Sequence, residues 1–181
     1  AVKNSSAAHF PLLDRTFAKF GVELTHDADG FSRAHAGHGL RVRATLTDGL
    51  MQKVESAPWP YVPADLLPIF VALGARAEGS AMFWNKVYEG ALGWHGELAR
   101  FGVATELLDP HRLVVRGGGR LVPATVESPY IIRVAIALFM VAASVEGSST
   151  IRHALPIRRA HPRFVENLNA LGAEVAWTEG E

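Results

Sequence analysis

APWPYVPADLLPIFVALGARAEGS, Ala57 to Ser80, is the stretch that decides how the chain reads. Pro58, Pro60 and Pro63 each fix φ and withhold a backbone donor, which predicts an extended run from Ala57 to Pro63. Ala64, Asp65 and Leu66 then open an apolar helix that ends near Gly79. Asp65 is the only charged residue between Glu55 and Arg76. It falls in the first helical turn, facing unpaired backbone N–H groups and the positive end of the helix dipole. Two readings stay open at this point: a helix-capping aspartate, or a carboxylate held at the mouth of a cleft by a rigid proline arm.

Working outward, the same pattern returns. VPADLLPIFVALGARAEGS (Val62–Ser80) is answered by VPATVESPYIIRVAIALFMVAASVEGSS (Val122–Ser149). Three helix ends are alike: AKFGVEL (Ala18–Leu24), ARFGVAT (Ala99–Thr105) and NALGAEV (Asn169–Val175). The repeated unit is βαβαββ, over residues 54–120 and 121–181 after a partial copy over 1–53. Helices this apolar must be covered on nearly all sides, which predicts helices inside and sheets outside, their polar faces turned to water.

Between these anchors the periodicity predicts an amphipathic helix from Phe10 to Phe20 and strands at Val22–Thr25, Phe31–His35 and Leu40–Arg43. Asp27-Ala28-Asp29-Gly30 resembles the start of a calcium loop but lacks the later ligands and closing glutamate, so a turn is expected. His26, His35 and His38 have no metal-ligand spacing and are expected in solvated loops. Strands follow at Val54–Ser56 and Ala81–Trp84, with a helix at His95–Phe101. Val103–Leu107 and Arg112–Arg116 should pair about Asp109-Pro110-His111. Gly117 to Gly119 precede no GK[ST] and open no helix, so they read as a tight turn between strands, not a phosphate cradle. Leu121–Val126 reads as extended, Tyr130–Val145 as a very apolar helix and Ser148–His153 as a strand. Pro162–Leu171 is expected as a helix, and Val175 to start a last strand.

Composition narrows the class. At 181 residues the chain fits one domain with a proper core. Lys+Arg and Asp+Glu balance at 18 each, so no global field invites nucleic acid. The basic cluster RHALPIRRAHPR (Arg152–Arg163) lacks the interleaved aromatics that a nucleic-acid groove needs. There is no cysteine, hence no disulfide, thiolate metal site or cysteine nucleophile within these residues. Ile131 to Val145 is too short to span a bilayer and contains Arg133, so no membrane association is expected. With no basic-then-apolar opening, no signal peptide is expected, and a cytoplasmic setting fits. The start without Met, directly into the run-up to a helix, reads as a piece cut from a longer protein.

APWPYVPAD resembles the A-P-x-P-x-F-P-T-D acceptor motif of the enolpyruvyl transferases, most closely those acting on UDP-N-acetylglucosamine in peptidoglycan synthesis. VYEGALGW (Val87–Trp94) resembles that family's V-F-E-N-R segment, and PIRRAHPRFVENLNALGA (Pro156–Ala173) its closing segment. HPRFVENL is also similar to the S-F-P-G-F-F-E-x-L run of the sister enolpyruvylshikimate-phosphate synthases. The resemblance implies two inside-out α/β barrels of three βαβαββ units each, with the active site between them. This chain would be the second barrel. The first barrel, supplying a phosphoenolpyruvate-binding lysine and arginine and a reactive cysteine, would be its partner, and no turnover is expected from this segment alone.

Carried over by position, Asp65 matches the aspartate that accepts the acceptor hydroxyl's proton. Val87 matches a residue lining the nucleotide-sugar pocket; on the residues alone it reads equally as a core strand position. Arg159 matches the basic residue that grips phosphoenolpyruvate, a task suited to a guanidinium fork; within its basic cluster a solvated face is the other reading. Arg133 matches the arginine of the family's apolar helix, where a lone charge must be paired or ligand-facing. No metal or cofactor is implied. The departures are Ala64 for the motif threonine, Gly90 and Ala91 for the Asn-Arg of V-F-E-N-R, and Ile131 for the aspartate preceding Arg133. They point to a divergent enolpyruvyl transferase with another acceptor, or alternatively to a noncatalytic binding or scaffold domain of the same fold.

Overall fold

The computed structural model describes residues 1–178. Its centre is a four-stranded sheet of β3 (Gln52–Ser56), β4 (Gly79–Asn85), β6 (Arg112–Gly117) and β5 (Ala104–Asp109), in that spatial order. β3 and β4 are parallel, with Val54 opposite Phe83, and β4–β6 and β6–β5 are antiparallel. Parallel neighbours require a crossover, and α2 (Leu67–Arg76) supplies it. With α3 (His95–Arg100) between β4 and β5, the order over Gln52–Gly117 is βαβαββ.

Two smaller sheets flank this unit. β1 (Glu23–His26) and β2 (Ser32–His35) form an antiparallel hairpin after α1 (Pro11–Ala18). β7 (Thr125–Glu127) and β8 (Thr150–Arg152) are parallel and joined through α4 (Ile132–Ala142). α5 (Pro156–Ala160) and α6 (Phe164–Ala170) follow.

α2 and α4 pack on each other because neither has a polar face to give to water. Leu67, Phe70, Val71, Ala72, Gly74 and Ala75 are buried on α2, and Val134, Ala135, Ala137, Leu138 and Val141 on α4. Phe20 stacks on Phe83 of β4 with ring centroids 6.1 Å apart, and Phe17 meets Phe70 at 4.9 Å. Burying one such side chain contributes about 1.5–3 kcal/mol, so this shared core fixes where the helix starts lie.

Two glycines set the close approach of helix and sheet. A Cβ on Gly74 would lie 2.6 Å from Phe83 Cζ. One on Gly117 would lie 2.0 Å from the Gly74 carbonyl oxygen and 2.4 Å from that of Ala77. Gly117 therefore ends β6 against the C-terminal carbonyls of α2. The triple glycine is thus a helix–sheet seat leading to a different sheet, not a turn between paired strands.

Several expectations need correction. The segment from Ala57 to Pro63 is not extended: Trp59–Pro60 is cis, Tyr61 N–H donates to the Pro58 carbonyl at 3.3 Å and Ala57 N–H to that of Val62 at 3.2 Å. The prolines fold back as a compact turn, of the kind that places a cis proline third. Leu40–Arg43 is no strand; it is held by an isolated bridge from Arg41 to Glu78. Of the run Leu121–Val126, read as extended, Thr125 and Val126 belong to a paired strand, which runs on to Glu127. Pro156 starts a helix of its own, and α6 begins at Phe164, not Pro162. Val175 opens no strand among the described residues; Glu179 to Glu181 lie outside them. His26 is in no solvated loop: it sits in β1, its ring 4.7 Å from that of Phe10, bonded to Ser32 Oγ at 2.6 Å and Asp14 Oδ1 at 3.0 Å. The DADG stretch is the expected turn, Asp27 accepting from Phe31 N–H at 2.8 Å and from the Arg33 guanidinium. The Arg33 bond leads in holding that carboxyl below its usual range.

Candidate active site

Asp65 lies in a single turn of 3-10 helix, Ala64–Leu66, which runs straight into α2. Pro63 occupies the cap position, and no side-chain capping bond forms there. The capping reading of Asp65 fails on this point. Its carboxylate instead accepts a hydrogen bond from Arg133: Nη2 donates to Oδ2 at 2.7 Å. Arg133 stands in the first turn of α4 and Asp65 in the turn that leads into α2, so the packing of these two helices brings the two charges together. The side chains remain 57% and 47% exposed, so the pair faces solvent at one end of the core. The charge inside YIIRVAIALFM is thus both paired and open to a ligand. A guanidinium has five N–H donors, and one bond to Asp65 leaves others for an incoming anion.

Arg159, on α5, reaches Tyr130. Its guanidinium carbon lies 5.5 Å from the centroid of the Tyr130 ring, an exposed ring just ahead of α4. Arg159 itself is exposed, so the solvated-face reading stands beside this contact; a cation over an aromatic face is attracted by the ring's quadrupole. In the rest of the basic cluster, Arg152 pairs with Glu127 at 3.2 Å and Arg158 lies over Trp177 at 4.5 Å. Tyr130 and Ile131 are both exposed, giving this rim an apolar and aromatic character.

Val87 is a loop residue just past β4, not a core strand position, and 40% of it is exposed. Its shape is set by Asn85, whose buried Oδ1 accepts the backbone N–H groups of Val87 and Tyr88, each at 3.0 Å. Among the described residues Val87 makes no hydrogen bond or ion pair with Asp65, Arg133 or Arg159. Gly90, with φ +70°, and Ala91 follow in the same loop.

A family model described as EPSP synthase (3-phosphoshikimate 1-carboxyvinyltransferase) matches residues 2–168. The chain belongs to this family. A UDP-N-acetylglucosamine 1-carboxyvinyltransferase of Bacteroides thetaiotaomicron is 32% identical over 178 residues, 96% of this chain and 40% of that protein. One from Bradyrhizobium diazoefficiens is 38% identical over 127 residues, 70% of this chain and 29% of that protein. The chain thus spans about two fifths or less of the length of these curated relatives. Among solved structures, the enolpyruvyl transferase NikO from Streptomyces tendae aligns with a TM-score of 0.74 at 25% identity, over 90% of this chain and 36% of that one. An EPSP synthase from Acinetobacter baumannii shares the fold, with a TM-score of 0.59 at 17% identity over 88% of this chain and 38% of that one.

Within this EPSP synthase family chain, two contributors escape the sequence reading. Asn85 carries a local signal, an amide closing a short apolar strand just ahead of the VYEG loop. Tyr130 carries none, because its contact with Arg159 depends on how α5 returns toward α4.

Proposed function

We propose that this chain is the second barrel of an enolpyruvyl transferase, which moves the enolpyruvyl group of phosphoenolpyruvate to a hydroxyl of an acceptor resembling a UDP-linked sugar. The Asp65–Arg133 pair carries this reading. Two motif segments 68 residues apart, each singled out by family resemblance, meet at 2.7 Å at an exposed end of the core. The βαβαββ order over Gln52–Gly117 and the mutual burial of α2 and α4 support one such unit with its helices inside; among the described residues, 121–178 give β7, α4, β8, α5 and α6, without the last two strands of a second.

In this reading Asp65 takes the proton from the acceptor hydroxyl as its oxygen adds to carbon 2 of phosphoenolpyruvate and a proton adds to carbon 3; loss of phosphate from carbon 2 with a proton from carbon 3 then restores the double bond and leaves an enol ether. Arg133 and Arg159 meet the carboxylate and phosphate charges; Val87 lines the acceptor pocket. Fixed cations at a closing cleft stabilise charge that develops in the reaction and cost no reorganisation at that moment. The first barrel, absent from these residues, would close over the site and exclude water. The reading implies a cytoplasmic protein acting in or beside peptidoglycan synthesis, without a metal.

A second reading, a binding or scaffold domain without turnover, is favoured by Ala91 and Ile131, which put no charge where the family motifs have arginine and aspartate. One measurement separates them: phosphate release by the full-length protein with phosphoenolpyruvate and a panel of nucleotide sugars and shikimate phosphate. Release that depends on one acceptor supports the transferase and names its substrate. No release with any acceptor, from folded protein, supports the binding domain.

A further inference from the structure

Away from the Asp65–Arg133 pair, a cavity of about 540 Å³ opens between α1, the free edge of β3 and the proline turn. Its size falls in the range of small-molecule pockets, about 300–1,000 Å³. Leu12, Met51, Val62 and Met82 give it an apolar wall, and Arg15, Lys19 and Lys53 bring charge to it. The charges do not cancel. Glu55 is the one carboxylate on the lining, and it already binds Lys86 at 2.8 Å, with Lys53 at 3.8 Å. Among the described residues Arg15 and Lys19 pair with no carboxylate.

Lys19 is the informative group. β3 is an edge strand, and the Lys19 ammonium donates to its Lys53 carbonyl at 2.5 Å, covering an edge acceptor that would otherwise go unpaired. An ammonium has further donors to give. Burial lowers its pKa, and Arg15 and Lys53 push the same way against the pull of Glu55. A partly buried cation beside two others, in a chain of zero formal net charge, is a place where an anion relieves repulsion.

We propose that this cavity binds a small organic anion, a carboxylate or phosphate monoester on an apolar body, at a site separate from the Asp65–Arg133 pair. The anionic group meets Lys19 and Arg15, and the body lies against Met51 and Met82. None of Asp65, Val87, Arg133 or Arg159 lines the cavity.

The test is NMR of the full-length protein with 13C-methyl methionine, titrated separately with phenyl phosphate, benzoate, inorganic phosphate and neutral benzyl alcohol. The Met51 and Met82 methyl signals, assigned by Met→Leu substitution, should shift in a saturable way with phenyl phosphate or benzoate, while Met140 on α4 stays put. The stronger of those two probes tells whether phosphate or carboxylate is preferred. Lys19→Gln and Arg15→Gln should each weaken that binding at least about tenfold, the loss of one charge-assisted hydrogen bond. Arg159→Gln should leave it unchanged. Three results overturn the proposal: still Met51 and Met82 signals, an equal response to benzyl alcohol, or binding that survives both cavity variants. Phenyl phosphate binding abolished by Arg159→Gln alone would put the anion in the transferase cleft and overturn it as well.

Discussion

Replacing Asp65 by Asn separates its part in the fold from the chemistry proposed for it, because the two differ in magnitude. The carboxylate makes one ion pair, with both side chains about half exposed, and no capping bond. An exposed pair of this kind contributes about 0.2–1 kcal/mol, and a carboxylate in the first helical turn about 0.3–1 kcal/mol more. Asn keeps the size and can still accept from Arg133. The expected loss is therefore about 1 kcal/mol, a fall in Tm of roughly 2–4 °C for a chain of this size. In its proposed role as general base, by contrast, Asp65 should be worth about 10²–10⁴-fold in turnover. Calorimetry and acceptor-dependent phosphate release on the full-length protein read the two effects independently. Turnover within a few-fold of the unsubstituted protein refutes Asp65 as the base. A Tm fall beyond about 10 °C refutes the claim that its role in the fold is minor.

Further outcomes follow from other parts of the structure. Gly117→Ala places a methyl on three backbone carbonyls that cannot rotate away, the nearest 2.0 Å off, and should cost ~3 kcal/mol, read as a lower denaturation midpoint. Leu138→Ala, in the α2–α4 contact, should cost about 2–5 kcal/mol in the same measurement. Ile131 occupies the cap position of α4 with extended backbone and no capping bond, so Ile131→Asp should add about 0.5–1 kcal/mol of stability. Glu55 is held below its ordinary pKa of 4.5 chiefly by the Lys86 hydrogen bond, against the effect of burial. Its folded pKa is the lower one, so its contribution is complete above the unfolded value and disappears as pH falls through the folded one. Denaturation midpoints measured downward from pH 5 should fall less steeply in Glu55→Gln.

The central unit was legible because its signals are local and agree with each other. The short apolar run Ala81–Trp84, the all-round apolar helix after Pro63 and the Gly102 stop each place an element, and the elements appear within a few residues of those positions. The proline arm was misread for a definable reason. Proline fixes its own φ, which argues for extension, but it leaves the preceding peptide bond two geometries and says nothing about long-range acceptors. Trp59–Pro60 takes the cis form, and the Val62 carbonyl takes the Ala57 N–H. His26 escaped similarly: its partners Asp14 and Ser32 come from two neighbouring elements, and no spacing rule joins them.

The candidate site shows the same division more sharply. Asp65 and Arg133 were each conspicuous as the one charge in an apolar stretch, and solvation cost alone demands that such a charge find a partner or a ligand. That they would find each other needed the packing of α2 on α4, and this follows from two helices with no polar face, not from either charge. The fold thus brings together a proton acceptor and a multi-donor cation by burying their helices, while leaving both charges at the solvent edge where a reactant can reach them. Stability alone gives little reason for the arrangement, since an exposed ion pair contributes at most about 1 kcal/mol. Double substitution of Asp65 and Arg133 by Leu should therefore cost the fold no more than about 2 kcal/mol while ending acceptor-dependent phosphate release.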